Sequence, residues 1–348
     1  MEKLFIRVDG NPVLGLGHMM RCYAIASALR KIGVDCCFLV ADKDSVSAMA
    51  GRNFGVWELG STWNDLDKET DLLVELIQRE KIKLLLIDSY YVSEEYLKTL
   101  RRYTKVAYLT GMNHFIYPVD ILINYHIYAE KLGYNQQYNN KTKLLLGCDY
   151  VPLREEFLSL EPYNPDRKAV LITTGGTDPY GIVPKLLVLL QENNLMDLDY
   201  HIVIGKYYDG NEVEQIKKWK RFPNIFLYED VKSMAELMKN CSIAVSAAGS
   251  TLYELCACGI PTVTFAFADN QKLPAEAFLH QGLMECAGDI RECIEDGIKQ
   301  IVQGIKTYAF DRKLRIKRSC MVRERIDGKG AEHLAEQLKR EIEEPKYL

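Results

Sequence analysis

Lys3-Leu4-Phe5-Ile6-Arg7-Val8-Asp9-Gly10-Asn11-Pro12-Val13-Leu14-Gly15-Leu16-Gly17-His18 is the stretch whose reading decides the fold. Leu4–Val8 is an apolar run of strand length. Beyond the two glycines, Cys22, Ile25, Ala26 and Leu29 recur at i, i+3, i+4 and i+7, one apolar face of a helix. Further apolar runs at Cys36–Val40, Leu84–Ile87, Val106–Leu109 and Ile121–Ile123 read as strands. Helical patterns fall between them, at His18–Ile32, Asp67–Glu80 and Ser93–Tyr103. Alternation of this kind predicts a parallel sheet covered on both faces.

The pattern breaks between Leu146 and Asp166, where Pro152, Pro162 and Pro165 interrupt it, and then resumes. Ala169–Thr173, Tyr200–Ile204, Ile225–Leu227, Ile243–Val245 and Thr262–Phe265 read as strands, with helices that include Met234–Lys239 and Leu252–Cys258. The expectation is an α/β chain of two Rossmann-like, doubly wound domains facing a cleft, residues 1–155 and 156–348. The C-terminal stretch is helical and charged, and one of its helices can pack back on the first domain.

A length of 348 residues suits two such domains. With 48% hydrophobic and 26% charged residues, the chain is neither a disordered tail nor a collagen-like repeat. A net charge of −4 gives no bulk attraction for nucleic acid. No run approaches the roughly 20 apolar residues of a membrane span, and the N-terminus does not read as a signal peptide. The ten cysteines lack zinc-type spacing and read as reduced, mostly buried thiols. These points predict a cytoplasmic monomer without metal or cofactor.

In open α/β sheets ligands bind beyond the carboxyl ends of the strands, and three loops stand there. The first is Asp9 to His18, where Gly15 and Gly17 let the backbone approach a ligand. His18 opens the following helix. A helix N-terminus disfavours positive charge, so His18 is expected neutral near pH 7 and able to take a proton. Arg21, on the same helical face, can hold a polar ligand. The second loop, Thr173-Thr174-Gly175-Gly176-Thr177-Asp178, offers donors to a diphosphate. The third, Ser246-Ala247-Ala248-Gly249-Ser250-Thr251, opens the helix that carries Glu254. Its N–H groups suit phosphate oxygens, and Glu254 suits ribose hydroxyls. Ala268-Asp269-Asn270-Gln271 follows the next strand.

Taken in order, Arg7-Val8-Asp9, Gly15-Leu16-Gly17-His18 with Arg21, Gly175-Gly176-Thr177-Asp178, Ala248-Gly249-Ser250-Thr251 with Glu254-Leu255, and Asn270-Gln271 resemble the PseG family. The likeness extends to Leu153-Arg154-Glu155-Glu156-Phe157 and Asp327-Gly328-Lys329-Gly330-Ala331. That family comprises UDP-sugar hydrolases of pseudaminic acid biosynthesis, relatives of the MurG glycosyltransferase with the two-domain GT-B fold. Two stretches depart from it. Asp88-Ser89-Tyr90 stands where members often have Asp-His-Tyr, and Leu109-Thr110-Gly111-Met112-Asn113 where they often carry an Asp-Asp pair. Both loops belong to the domain that would hold the sugar.

The resemblance implies release of UDP from UDP-2,4-diacetamido-2,4,6-trideoxy-β-L-altropyranose by water. It places His18 on the catalytic histidine. It places Asp9, Gly15, Gly17, Arg21, Tyr90, Arg154, Gly176, Thr177, Ala248, Gly249, Ser250, Thr251, Glu254, Asn270 and Gln271 in substrate binding. A MurG-like transferase with an acceptor other than water, and a non-catalytic nucleotide-sugar binder, are the competing readings. The binder gives His18 no task.

Overall fold

Leu4, Phe5, Ile6 and Val8 are all buried along the first strand, β1 (Lys3–Val8), with no alternation of exposed positions. A strand reads this way when both of its faces are covered, as in a parallel sheet between helices. The structure is a computed structural model and describes residues 2–11, 13–158 and 160–344; Pro12 of the first glycine loop lies outside them. The chain divides into two compact units, residues 1–155 together with 329–348, and residues 156–328.

In the first unit β1 is followed by α1 (Gly17–Lys31), β2 (Asp35–Val40), α2 (Lys43–Ala48), β3 (Gly55–Glu58) and α3 (Thr70–Glu80). Then come β4 (Leu84–Asp88), α4 (Glu94–Arg101), β5 (Lys105–Leu109), β6 (Ile121–Asn124), α5 (Tyr134–Gln137) and β7 (Lys143–Leu146). The seven strands form one parallel sheet in the order β3-β2-β1-β4-β5-β6-β7. The order reverses between β1 and β4. Connections leaving these neighbours go to opposite faces, which opens a crevice at their carboxyl ends.

The second unit runs β8 (Ala169–Thr173), α6 (Ile182–Glu192), β9 (Asp199–Val203), α7 (Gly210–Lys217), β10 (Ile225–Tyr228), α8 (Met234–Met238) and β11 (Ile243–Ala247). It continues with α9 (Thr251–Ala257), β12 (Thr262–Ala266), α10 (Asp269–His280), β13 (Glu285–Asp289), α11 (Ile294–Phe310) and α12 (Arg312–Arg325). Its six parallel strands lie in the order β10-β9-β8-β11-β12-β13, reversing between β8 and β11. Ile172, Val245 and Phe265 of the central strands pack with Leu186 of α6 and Ile301 of α11 in its core.

The last helix, α13 (Gly330–Glu343), belongs to the first unit, which corrects the 156–348 block expected from the sequence. Leu334, Leu338 and Ile342 form its buried stripe, and α1 is the helix it packs against. Lys105 and Lys143 each meet Glu341 at 3.0 Å. Gly330 makes the entry possible, because a Cβ there would fall 2.3 Å from the Val151 carbonyl oxygen.

Three strands lie outside the sequence expectation: β3, β7 and β13. All three are sheet edges. Their residues are largely half-buried or exposed, so none presents the continuous apolar run that marks a central strand.

Candidate active site

Val8 pairs with Asp88 across β1 and β4, so the residue that closes β4 stands beside the turn into α1. His18, in the first turn of α1, places Nδ1 2.6 Å from Oδ1 of Asp88. Arg21 donates from Nε to Oδ2 at 2.6 Å and from Nη2 to Oδ1 at 2.5 Å. The Cys22 thiol donates to Oδ2 at 3.4 Å. Burial alone would push the Asp88 carboxyl up; Arg21 and His18 outweigh it and hold the group well below the usual carboxylate range. An ionised carboxylate can only accept, which places the His18 ring proton on Nδ1 and leaves Nε2 as the acceptor nitrogen. Arg21 Nη2 is also 2.9 Å from Nδ1, but a ring nitrogen that carries its proton has no lone pair to accept, so the hydrogen bond from Nη2 goes to Asp88. A base oriented by a third group is the arrangement used to activate a nucleophile.

Aromatic side chains surround this cluster. Tyr90, 46% exposed, meets the His18 ring edge-on, with centroids 4.5 Å apart and planes at 88°. Tyr125 accepts a hydrogen bond from Arg21 Nη1 at 3.0 Å. The His126 ring stacks on Tyr125 at 4.5 Å and on Tyr128 at 5.0 Å. Burial, with Arg21 nearby, pushes the His126 imidazole down to about 3. Gly111 permits this placement, since a Cβ there would lie 2.7 Å from His126 Nε2.

Asp88, Tyr125 and His126 are absent from the residues assigned to the site by sequence. One signal was present for Asp88: an acid that directly follows the buried run Leu84–Ile87, at a carboxyl strand end.

Two expected substrate contacts are engaged within the protein. Asp9 is 3% exposed, and both its oxygens are occupied, Oδ2 by Arg7 Nη1 at 2.5 Å and Oδ1 by the Ala41 N–H at 2.7 Å. Arg7 is wholly buried and also donates to both oxygens of Glu69, at 2.6 and 2.9 Å. Tyr96 and Ser61 donate to the same carboxylate at 2.9 and 2.5 Å. Asp9 therefore braces the end of β1 instead of facing a ligand. Arg21 likewise donates to Asp88 and Tyr125. Gly15 adopts φ +72° and donates its N–H to the Asn11 carbonyl at 2.8 Å. A Cβ at Gly17 would meet no atom within 4 Å, so the start of α1 borders open space.

In the second unit Thr173 pairs with Ser246 across β8 and β11, and the two glycine loops leave the same sheet edge. Gly176 and Thr177 are exposed beside Gly175, which takes φ +88°. Asp178 accepts the N–H groups of Ile182 and Val183 at 2.8 and 2.9 Å and starts α6. Ala248 is buried and donates to the Phe265 carbonyl at 2.9 Å, while Gly249 and Ser250 are exposed. Thr251 begins α9, and Glu254 follows in its first turn. These residues gather at the carboxyl ends of β8 and β11. Asn270, exposed, and Gln271, whose Oε1 accepts the Phe267 N–H at 2.9 Å, follow β12. Arg154 lies in the irregular segment that closes the first stretch of the first unit.

Among the described residues no group of three or more His, Cys, Asp or Glu is placed to hold a metal ion, and no helix is long and apolar enough to cross a membrane. All ten cysteines are free thiols.

Residues 170–324 match the glycosyltransferase family 28 C-terminal domain. The solved structure of MurG from Acinetobacter baumannii is similar with a TM-score of 0.67 at 12% identity, covering 98% of this chain and 100% of that one. The UDP-GlcNAc 2-epimerase from Neisseria meningitidis bound to UDP-GlcNAc gives the same score, identity and coverage. The chain therefore has the GT-B fold, and residues 170–324 are similar to the glycosyltransferase family 28 C-terminal domain.

Among curated relatives, an uncharacterised protein of Methanocaldococcus jannaschii is 27% identical over 314 residues, 86% of this chain and 59% of that protein. The pseudaminic acid cytidylyltransferase and UDP-2,4-diacetamido-2,4,6-trideoxy-beta-L-altropyranose hydrolase of Helicobacter pylori is 28% identical over 279 residues, 78% of this chain and 46% of that protein. The chain thus spans about half the length of these two relatives. The UDP-2,4-diacetamido-2,4,6-trideoxy-beta-L-altropyranose hydrolase of Campylobacter jejuni is 25% identical over 284 residues, 80% of this chain and 97% of that protein.

Proposed function

We propose that the chain is a UDP-sugar hydrolase that releases UDP by attack of water on the anomeric carbon. The substrate we assign is UDP-2,4-diacetamido-2,4,6-trideoxy-β-L-altropyranose, which makes the step part of pseudaminic acid biosynthesis. The contact between His18 and Asp88 carries this reading. Diphosphate is a good leaving group, so the protein chiefly has to activate water and neutralise the departing charge. Nε2 of His18 takes the proton from water while Asp88 stabilises the ring as it becomes charged. The loops at Gly176–Thr177 and Ala248–Thr251 receive the diphosphate, and Glu254 takes the ribose hydroxyls. The relatives from Helicobacter pylori and Campylobacter jejuni, both named as hydrolases of this sugar nucleotide, support the assignment.

The family 28 match over residues 170–324 favours a second reading, transfer of the sugar to an acceptor other than water. Incubating the protein with the UDP-sugar and no acceptor separates the two. Hydrolysis yields free sugar and UDP in equal amounts. Release that begins only when an acceptor is added supports transfer, and tight binding without any release leaves a nucleotide-sugar-binding protein.

A further inference from the structure

We propose that Asn11 contacts the substrate, its side-chain amide donating to an acceptor oxygen of the glycosyl group; this rests on the UDP-sugar reading above. Asn11 lies in the loop between β1 and α1, at the reversal of the first sheet, where ligands of such sheets bind. It is only 6% exposed. Its Oδ1 accepts the backbone N–H groups of Val13 and Leu14, each at 2.9 Å. Those two bonds assign the amide, because turning it over would point its NH2 at two backbone donors. Nδ2 is therefore the other end, and it is buried without a hydrogen-bond partner.

Native interiors pair nearly all such donors, so an orphan calls for a cause. The other unpaired buried side-chain atoms among the described residues are Tyr308 Oη, Arg315 Nε and Arg318 Nε, in α11 and α12 of the second unit. Both arginines use other nitrogens, Arg315 on backbone carbonyls and Arg318 on Glu285. Asn11 differs from the arginines because its whole donor end is unmet. It differs from Tyr308, which sits in the apolar core of the second unit, because it lies in a loop at the carboxyl end of a central strand.

The surroundings suit a ligand. Helix α1 starts without a side-chain cap and without an acidic residue in its first turn. A Cβ at Gly15 or Gly17 would meet no atom within 4 Å. With Oδ1 spent on the loop, Asn11 can only donate, and its complement is an oxygen acceptor such as the carbonyl of an N-acyl substituent.

Asn11→Asp and Asn11→Ser test this, since both keep an oxygen for the Val13 and Leu14 N–H groups and both remove the amide donor. The quantities to read are KM for UDP release from UDP-2,4-diacetamido-2,4,6-trideoxy-β-L-altropyranose, Kd for that sugar nucleotide and for UDP, and the melting temperature. We expect KM and the sugar-nucleotide Kd to rise roughly tenfold in both variants, with UDP affinity within about twofold of wild type and melting unchanged. Unchanged values in the near-isosteric Asn11→Asp overturn the proposal and give Nδ2 to a buried water. An equal loss of UDP affinity overturns it too, because the loop would then act on the whole site. Wild-type protein that binds the sugar nucleotide but releases no UDP removes the hydrolase reading; a sugar-selective loss of Kd in the variants still upholds the Asn11 contact.

Discussion

Asp88 and His18, 70 residues apart in the chain, meet at 2.6 Å because β4 ends level with β1 in the sheet. The carboxylate does two things at once. It fixes the tautomer of the ring, and it neutralises Arg21, which is held against the same oxygens. Removing either partner therefore has separable consequences.

His18→Asn is expected to lower turnover by about 10²–10⁴-fold, the usual cost of losing a general base. UDP affinity should stay within about twofold of wild type, since the assigned nucleotide contacts lie in the other unit. Steady-state kinetics and calorimetric UDP binding check both parts. Near-normal turnover would remove His18 from the mechanism.

Asp88→Asn should impair both catalysis and folding. The amide can present its NH2 to the ring and favour the wrong tautomer, and the largely buried Arg21 charge loses its counter-ion. We expect a rate loss of the same order as for His18→Asn and a destabilisation of about 3–5 kcal/mol. Denaturant unfolding beside kinetics reads the two. Full stability would mean that Arg21 finds another partner.

His126 should give the protein an acid-sensitive limb of stability. Its folded-state pKa is lowered from 6.5 to about 3, chiefly by burial. As pH falls below 6.5 the unfolded chain binds a proton on this ring that the fold refuses. The contribution is fully present above about pH 6.5 and is lost on the way down to about 3, by at most ~1.4 kcal/mol per pH unit. Asp88, whose folded pKa is depressed, acts in a lower window: its contribution is present above the ordinary value of 3.8 and is lost only as pH falls below that. His126→Phe, which keeps the stack on Tyr125, should flatten the unfolding free energy between about pH 6 and pH 4. An unaltered slope would mean that the folded protein accepts the proton.

Glu254→Ala should weaken UDP binding by roughly 1–3 kcal/mol if the carboxylate accepts charge-assisted bonds from the ribose. A 2′-deoxy analogue should lose much less. Calorimetry with both nucleotides decides, and equal losses would show that Glu254 does not read the 2′-hydroxyl.

In ¹⁸O-water the reaction should label the sugar at C1 and leave UDP unlabelled, with inversion at the anomeric centre. Attack at phosphorus is ordinarily served by carboxylates that clamp a metal, whereas the base assigned here is an imidazole. Mass spectrometry of the two products reads the position of the label. Label in the nucleotide would overturn the role given to His18.

The sequence by itself determined the elements that are buried on both sides. Leu4–Val8, Leu84–Ile87, Ala169–Thr173 and Ile243–Val245 are apolar runs, interrupted only by the paired Arg7 and closed by Thr173, because they become the central strands β1, β4, β8 and β11. His18 was legible for a local reason as well, since glycines, helix start and histidine lie within one turn of chain. The edge strands β3, β7 and β13 were not legible, because partial exposure dilutes the pattern that reveals a strand.

Only the tertiary structure decided the partners. Which strand lies beside β1 depends on sheet order, and that order brings Asp88, and not a nearer acid, to His18. Burial in the same fold turned Asp9 inward, where Arg7 and the Ala41 N–H use up both its oxygens. It also returned α13 to the first unit, because the stripe of Leu334, Leu338 and Ile342 needed an apolar surface and α1 presented one. Local periodicity records which face of an element is buried; which other element covers that face is settled only when the whole chain packs.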